Sequence, residues 1–228
     1  MYKQTSLVIS VLLLGGFVAT MPPVAQVQAQ VVVAQRRSPE LKQMLEEGRR
    51  LVDSGDYDGA IAVYQQASSL DPKNAKIYSG IGYLYAQKGN FQAALASYRR
   101  ALGIDPNNGD FFYAVGYIKA NLGDTRGAKE AYRKAIQINR NNINAYLGLG
   151  VTQSRLGDYD AAMWAYEQAI NIDRNNPQTY ELMGSMFKNR RKAKEAKNVL
   201  QKARDLYQRR NDATGVDRVE GMLRELGA

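Results

Sequence analysis

The sequence predicts an all-α solenoid, five 34-residue helix-turn-helix repeats followed by a C-terminal capping helix. Three observations carry this reading. Glycine recurs at Gly48, Gly82, Gly116, Gly150 and Gly184, each 34 residues from the last. Alanine keeps the same step twice over, at Ala60, Ala94, Ala128, Ala162 and Ala196 and again at Ala67, Ala101, Ala135, Ala169 and Ala203. Tyr64, Tyr98, Tyr132 and Tyr166 form a further column, which Leu200 completes. One register for all of them divides residues 39–210 into repeats at 41–74, 75–108, 109–142, 143–176 and 177–210.

Ahead of the repeats, Lys3 is followed by the mostly apolar run Leu7 to Ala19, then Pro22 and Pro23, then Val27-Gln28-Ala29. A charged start, a short apolar core and small residues at the end are the parts of a secretory signal peptide. The apolar core is shorter than the roughly 20 residues that span a bilayer. Residues 1–29 are therefore expected to be a signal cleaved near Ala29, leaving a soluble chain exported to the periplasm, a comparable lumen or the exterior. The chain has no cysteine, so neither a lipid-modified N-terminus nor a disulfide is expected. Residues 30–38 read as a flexible lead-in.

Within each repeat, the residue types follow from packing. Paired helices approach to roughly 8–10 Å only where the facing side chains are small, which suits the Gly and Ala columns. The Tyr column, with Tyr78, Phe112, Tyr146 and Tyr180, fills the space between one helix pair and the next. Gly55, Gly89, Gly123 and Gly157 are placed to end the first helices in a left-handed conformation. Asp56, Asn90, Asp124 and Asp158 follow them as N-caps of the second helices. Pro72, Pro106 and the pairs Asn107-Asn108, Asn141-Asn142 and Asn175-Asn176 mark the turns between repeats. Behind the last repeat, Val216, Val219, Leu223 and Leu226 recur on one face of the capping helix, 211–228, that a solenoid needs to cover its end.

A 34-residue helix-turn-helix with Gly, Ala, Tyr and Pro at these offsets resembles the tetratricopeptide repeat (TPR) family over residues 41–208. The resemblance implies a right-handed superhelix whose concave groove holds a peptide or helix of another protein. An exported array of this style is similar to the small TPR proteins of cyanobacterial and other Gram-negative envelopes.

With no histidine and no cysteine, the usual zinc sites, thiolate nucleophiles and His-based proton relays are excluded. No catalysis, metal or cofactor is expected. Asp56/Asp58 and Asp158/Asp160 lack the further oxygen ligands of a calcium loop and read as caps. Gly80-Ile81-Gly82 and Gly148-Leu149-Gly150 lie within helices and follow no strand, so a dinucleotide site is not expected either.

Binding residues emerge by subtraction. Once the tyrosines at packing and turn columns and Tyr2 of the leader are set aside, Tyr83, Tyr113, Tyr117 and Tyr207 remain. The first three fall on the first-helix face that the TPR resemblance assigns to the groove, beside Gln87 and Asn121. Aromatic rings flanked by amides stack on and hydrogen-bond an extended peptide. By the same resemblance the groove continues through Leu147, Val151, Ser154 and Arg155 and then Glu181, Ser185 and Lys188. The peptide-binding set is thus Tyr83, Gln87, Tyr113, Tyr117, Asn121 and Arg155. The Lys/Asn carboxylate clamp of chaperone-binding TPR domains is not matched at Leu45 with Arg49 or Asp110 with Ala114. Trp164, on a second helix, is assigned to packing between repeats.

Charge supplies a second candidate. Residues 188–210 hold ten Lys and Arg against Glu195 and Asp205, whereas residues 30–187 are nearly balanced. Arg191-Lys192 stands where other repeats have Gly-Asp or Gly-Asn, placing cations at a helix N-terminus that favours anions. Lys188, Arg190, Arg191, Lys192 and Lys194 are the candidate anionic-partner residues. Export makes nucleic acid an unexpected target. The expected function is a non-catalytic scaffold of the cell envelope or lumen, holding a segment of another envelope or lumenal protein during assembly of an envelope or membrane complex. The alternative is an adaptor docking to an anionic membrane surface or wall polymer through residues 188–210.

Overall fold

The computed structural model describes residues 39–227, which form eleven helices and no strand. The expected signal peptide and lead-in lie outside these residues. Helix α1 spans 39–53. It is followed by α2 Tyr57–Leu70, α3 Ala75–Gln87, α4 Phe91–Ile104, α5 Gly109–Asn121 and α6 Thr125–Ile138. Then come α7 Ile143–Arg155, α8 Tyr159–Ile172, α9 Pro177–Asn189, α10 Ala193–Arg209 and α11 Ala213–Glu225. Odd- and even-numbered helices pair in sequence, each pair packs on the next, and α11 packs on α10. The packing described below lies within residues 43–228. This is the predicted all-α solenoid of five repeats with a C-terminal helix.

Short-range chemistry sets the helix ends. Gly55, Gly89, Gly123 and Gly157 have φ of +82°, +74°, +81° and +81°, a region that penalises any Cβ. One residue later, the side chains of Asp56, Asn90, Asp124 and Asp158 accept from the N–H three positions on, capping the second helices. Asn108, Asn142 and Asn176 cap first helices in the same manner, and Asn74 caps α3 by accepting from the N–H two positions on, that of Lys76. At the fifth repeat Arg191 takes the left-handed position with φ 57°, and Lys192 begins α10 with no side-chain cap.

The core is built from the repeated columns. All ten column alanines are fully inaccessible. The glycine column serves a purpose more specific than close helix approach, because each Gly receives the ring of the same repeat's column tyrosine. A Cβ on Gly82 would lie 2.6 Å from Tyr98, and one on Gly116 would lie 2.7 Å from Tyr132. Tyr64 faces Gly48 on one side and Gly80 on the other, and Tyr132 sits likewise between Gly116 and Gly148. In the fifth repeat Leu200 takes the ring's place against Gly184.

Tyr207, one of the four spare tyrosines of the sequence, is buried with its ring against Gly215 of α11. Its hydroxyl donates to Glu181 of α9 at 2.5 Å, and Arg218 of α11 forks onto the same carboxylate at 3.0 and 3.2 Å. The repeat's ring-in-slot packing is thereby carried to the C-terminal helix.

Candidate functional site

Four of the six predicted peptide-binding residues line one cleft of about 520 Å³ formed by α5, α7 and α9. They are Tyr113, Tyr117, Asn121 and Arg155. The 34-residue step explains why they meet, since Tyr117 and Val151, and Asn121 and Arg155, are equivalent positions on successive first helices. Tyr117 stands at the rim, 47% exposed, with Phe91 edge-on at 6.4 Å. Tyr113 lies deeper, its ring 6.0 Å from that of Tyr132. Burial pushes the Tyr113 phenol above its ordinary pKa, and the neighbouring Tyr117 adds to this. Burial also raises Tyr132, with Tyr113 and Tyr117 contributing further and the cation of Arg155 opposing.

The amide of Asn121 donates to the Tyr117 carbonyl at 2.8 Å, which leaves its oxygen to accept. Arg155 is exposed and makes no ion pair among the described residues. Tyr83 and Gln87 are exposed on α3, one repeat earlier, and do not line this cleft. Tyr83 is nevertheless a near neighbour of the buried Tyr98, whose pKa is pushed up to about 12 by burial first and then by Tyr83 and Tyr113.

Asn144, Gln178 and Leu182 line the cleft and were not among the sequence candidates. Their signal was available. Asn144 and Gln178 continue the column of Lys42, Lys76 and Asp110, and Leu182 continues that of Gly80, Ala114 and Gly148. The fifth repeat's groove positions are engaged by the C-terminal helix, since Glu181 is held by Tyr207 and Arg218, and Lys188 pairs with Glu225 at 2.5 Å. A smaller cleft of about 230 Å³, with Arg49 and Lys76 beside Leu45, Ile77 and Tyr64, lies at the first two repeats.

The anionic-partner residues are not one free cluster. Lys188 pairs with Glu225, Arg190 lies over the Tyr159 ring at 4.2 Å, and Lys192 lies 3.5 Å from Glu195. Arg191 and Lys194 are exposed and form no ion pair among the described residues. No group of three His, Cys, Asp or Glu among the described residues could hold a metal ion. Chemically the α5/α7/α9 cleft offers ring faces, amides and one unpaired cation, the equipment for holding a peptide.

Three tetratricopeptide repeat family models match, over residues 48–89, 75–108 and 119–186, together more than half of the chain. The chain belongs to the tetratricopeptide repeat family. Among solved structures, this TPR protein is similar to MamA at 26% identity and TM-score 0.65, covering 72% of this chain and 96% of that one. It is also similar to YrrB, a TPR protein with an unusual peptide-binding site, at 21% identity and TM-score 0.62, covering 82% and 99%. PilF of Pseudomonas aeruginosa aligns at 16% identity and TM-score 0.65, covering 83% and 93%. No curated protein matches the sequence. The fold is one of protein-interaction scaffolds.

Proposed function

We propose that this TPR protein is a non-catalytic scaffold of the cell envelope or a lumen, exported by its leader, that holds an extended segment of a partner protein in the α5/α7/α9 cleft. The observation that carries the reading is the convergence of Tyr113, Tyr117, Asn121 and Arg155 on one open cleft. Tyr117 stacks on a partner side chain, the amides of Asn121, Asn144 and Gln178 hydrogen-bond its backbone, and Arg155 receives a carboxylate. The peptide-binding site of YrrB, on the same fold, supports the reading. Binding several segments in this way would let the array assist assembly of an envelope or membrane complex.

Peptides selected from a random library on the immobilised protein provide the test. Tyr117→Ala with Arg155→Ala should weaken the selected peptides by about tenfold or more, because a few central aromatic and Arg anchors carry most of such binding energy. The thermal midpoint should stay put, since both side chains are exposed. Equal affinity of variant and wild type would remove the cleft from the function.

A second reading rests on Arg191, Lys194 and Arg209, which are exposed and form no ion pair among the described residues. It has residues 188–210 dock on an anionic membrane surface or wall polymer. Co-sedimentation with anionic vesicles that disappears at high salt is its expected signature. Peptide capture in the cleft needs no lipid.

A further inference from the structure

Among the described residues, the exposed large apolar side chains besides Tyr83 and Tyr117 are Leu156, at 41%, and Trp164, at 50%. Neither faces the peptide cleft. They line two adjoining clefts of about 510 and 340 Å³ that share Gln153 and run between the second helices α6 and α8. Leu149 and Gln153 of α7 and Leu156, its C-cap, form the floor and lie on the opposite half of the helix from Val151 and Arg155 of the peptide cleft. Together they make a trough on a different side of the array, with an indole on its wall.

The two walls carry opposite charge. Helix α6 holds Arg126, Lys129, Arg133 and Lys134 against Glu130, and α8 holds Asp160 and Glu167 with no Lys or Arg. Lys129 and Arg133 each lie 3.9 Å from Glu130, the outer limit of an ion pair. Arg126, Asp160 and Glu167 make no ion pair among the described residues. Asp160, Trp164 and Glu167 are spaced four and three residues apart, which stacks them on one stripe of α8. The repeat step sets them against α6, because Asp160 is 34 residues after Arg126 and Glu167 is 34 after Arg133.

We propose that this trough is a self-association surface and that its occupant is a second copy of the chain. A uniformly charged partner would be repelled by one wall. A copy related by a two-fold axis running along the trough lays α8 on the partner's α6 and α6 on the partner's α8. Both walls then meet their opposites, and the level positions pair Arg126 with the second copy's Asp160 and Arg133 with its Glu167. The same operation brings each Trp164 level with the second copy's Glu130, over a trough whose apolar part is Ile136, Leu149, Leu156 and Ala161. A ridge and a slot on one patch, with charges that complement themselves, are what an isologous dimer requires. Desolvated Trp is the residue type most often found to dominate such contacts.

The test is the oligomeric state of the full chain, purified as its host delivers it, by light scattering and sedimentation at tens of micromolar. Wild type should be a dimer. Trp164→Ala, Arg133→Glu and Glu167→Arg should each weaken dimerisation by tenfold or more, with circular dichroism unchanged. Mixing Arg133→Glu chains with Glu167→Arg chains should restore a dimer, since every contact across the two-fold axis is then again between opposite charges. That readout does not depend on the Trp variant folding. A monomeric wild type, a dimer indifferent to all three substitutions, or a mixture that fails to recombine would overturn the proposal.

Discussion

At the residue scale, the glycines divide into those that receive a ring and those that do not, and sequence position alone does not separate them. Gly103 is exposed inside α4 with no atom within 4 Å of the Cβ it lacks, whereas Gly116 is pressed by Tyr132. Gly103→Ala should therefore stabilise the protein by about 0.5–1 kcal/mol, by removing the helix-interior cost of glycine. Gly116→Ala should destabilise it by about 1–3 kcal/mol, because the ring has to move. Midpoints of urea unfolding for the two variants, shifting in opposite directions from wild type, check both. Tyr207 is left without a role by the sequence for a related reason. It stands outside the 34-residue column, and only the placement of Gly215 opposite reveals that it plays the same ring-in-slot part.

At the element scale, the turns inside the first four repeats were legible because each is written in two adjacent residues, a left-handed Gly and a capping Asp or Asn. The exception is the start of α10, where Arg191 adopts φ 57° and Lys192 offers the helix no acceptor. Arg191→Gly with Lys192→Asn recreates the Gly89-Asn90 turn of the second repeat. The first change relieves about 1 kcal/mol of left-handed strain and the second adds a cap of about 1 kcal/mol. The double variant should melt several degrees above wild type in a calorimetric scan, and an unchanged or lower midpoint would count against this account. The exposed second-helix trough was missed although its signal was present. Trp164 belongs to the column Ala62, Ala96, Glu130, Trp164 and Asn198, whose charged and amide members mark it as facing solvent, and all five are exposed. The place of Trp164 on a second helix suggests packing between repeats; the indole does meet Tyr146 edge-on at 6.0 Å but stays half exposed.

At the scale of the whole molecule, four phenols tie stability to alkaline pH. Burial raises Tyr98 to about 12, raises Tyr132 and Tyr166 strongly, and, with the Glu181 carboxylate, raises Tyr207 to about 12. The folded state keeps protons that the unfolded chain releases above about pH 10, so the unfolded state binds fewer protons there. Stability from these groups is complete below about pH 10 and is lost as pH rises toward 12. The thermal midpoint should stay level from neutrality to about pH 9 and then fall, with phenolate absorbance of the buried rings appearing only as the chain unfolds. A single titration of all phenols in a still-folded protein would contradict this. The fold class was legible because periodicity survives any number of local substitutions. The cleft was legible only in part, since Tyr83 and Gln87 share its column but sit one repeat away, and columns give equivalence between helices without saying which neighbours enclose a space.

The seating of Tyr64 between Gly48 and Gly80, and of Tyr132 between Gly116 and Gly148, also bears on how such a gene can grow. Any 34-residue stretch cut from the middle of the array carries both a ring for its neighbour and a notch for its own, whatever residue the cut begins at. An in-frame tandem duplication of that length therefore yields a joint that is already fitted, whereas one of 30 or 38 residues leaves a phenol with nowhere to go.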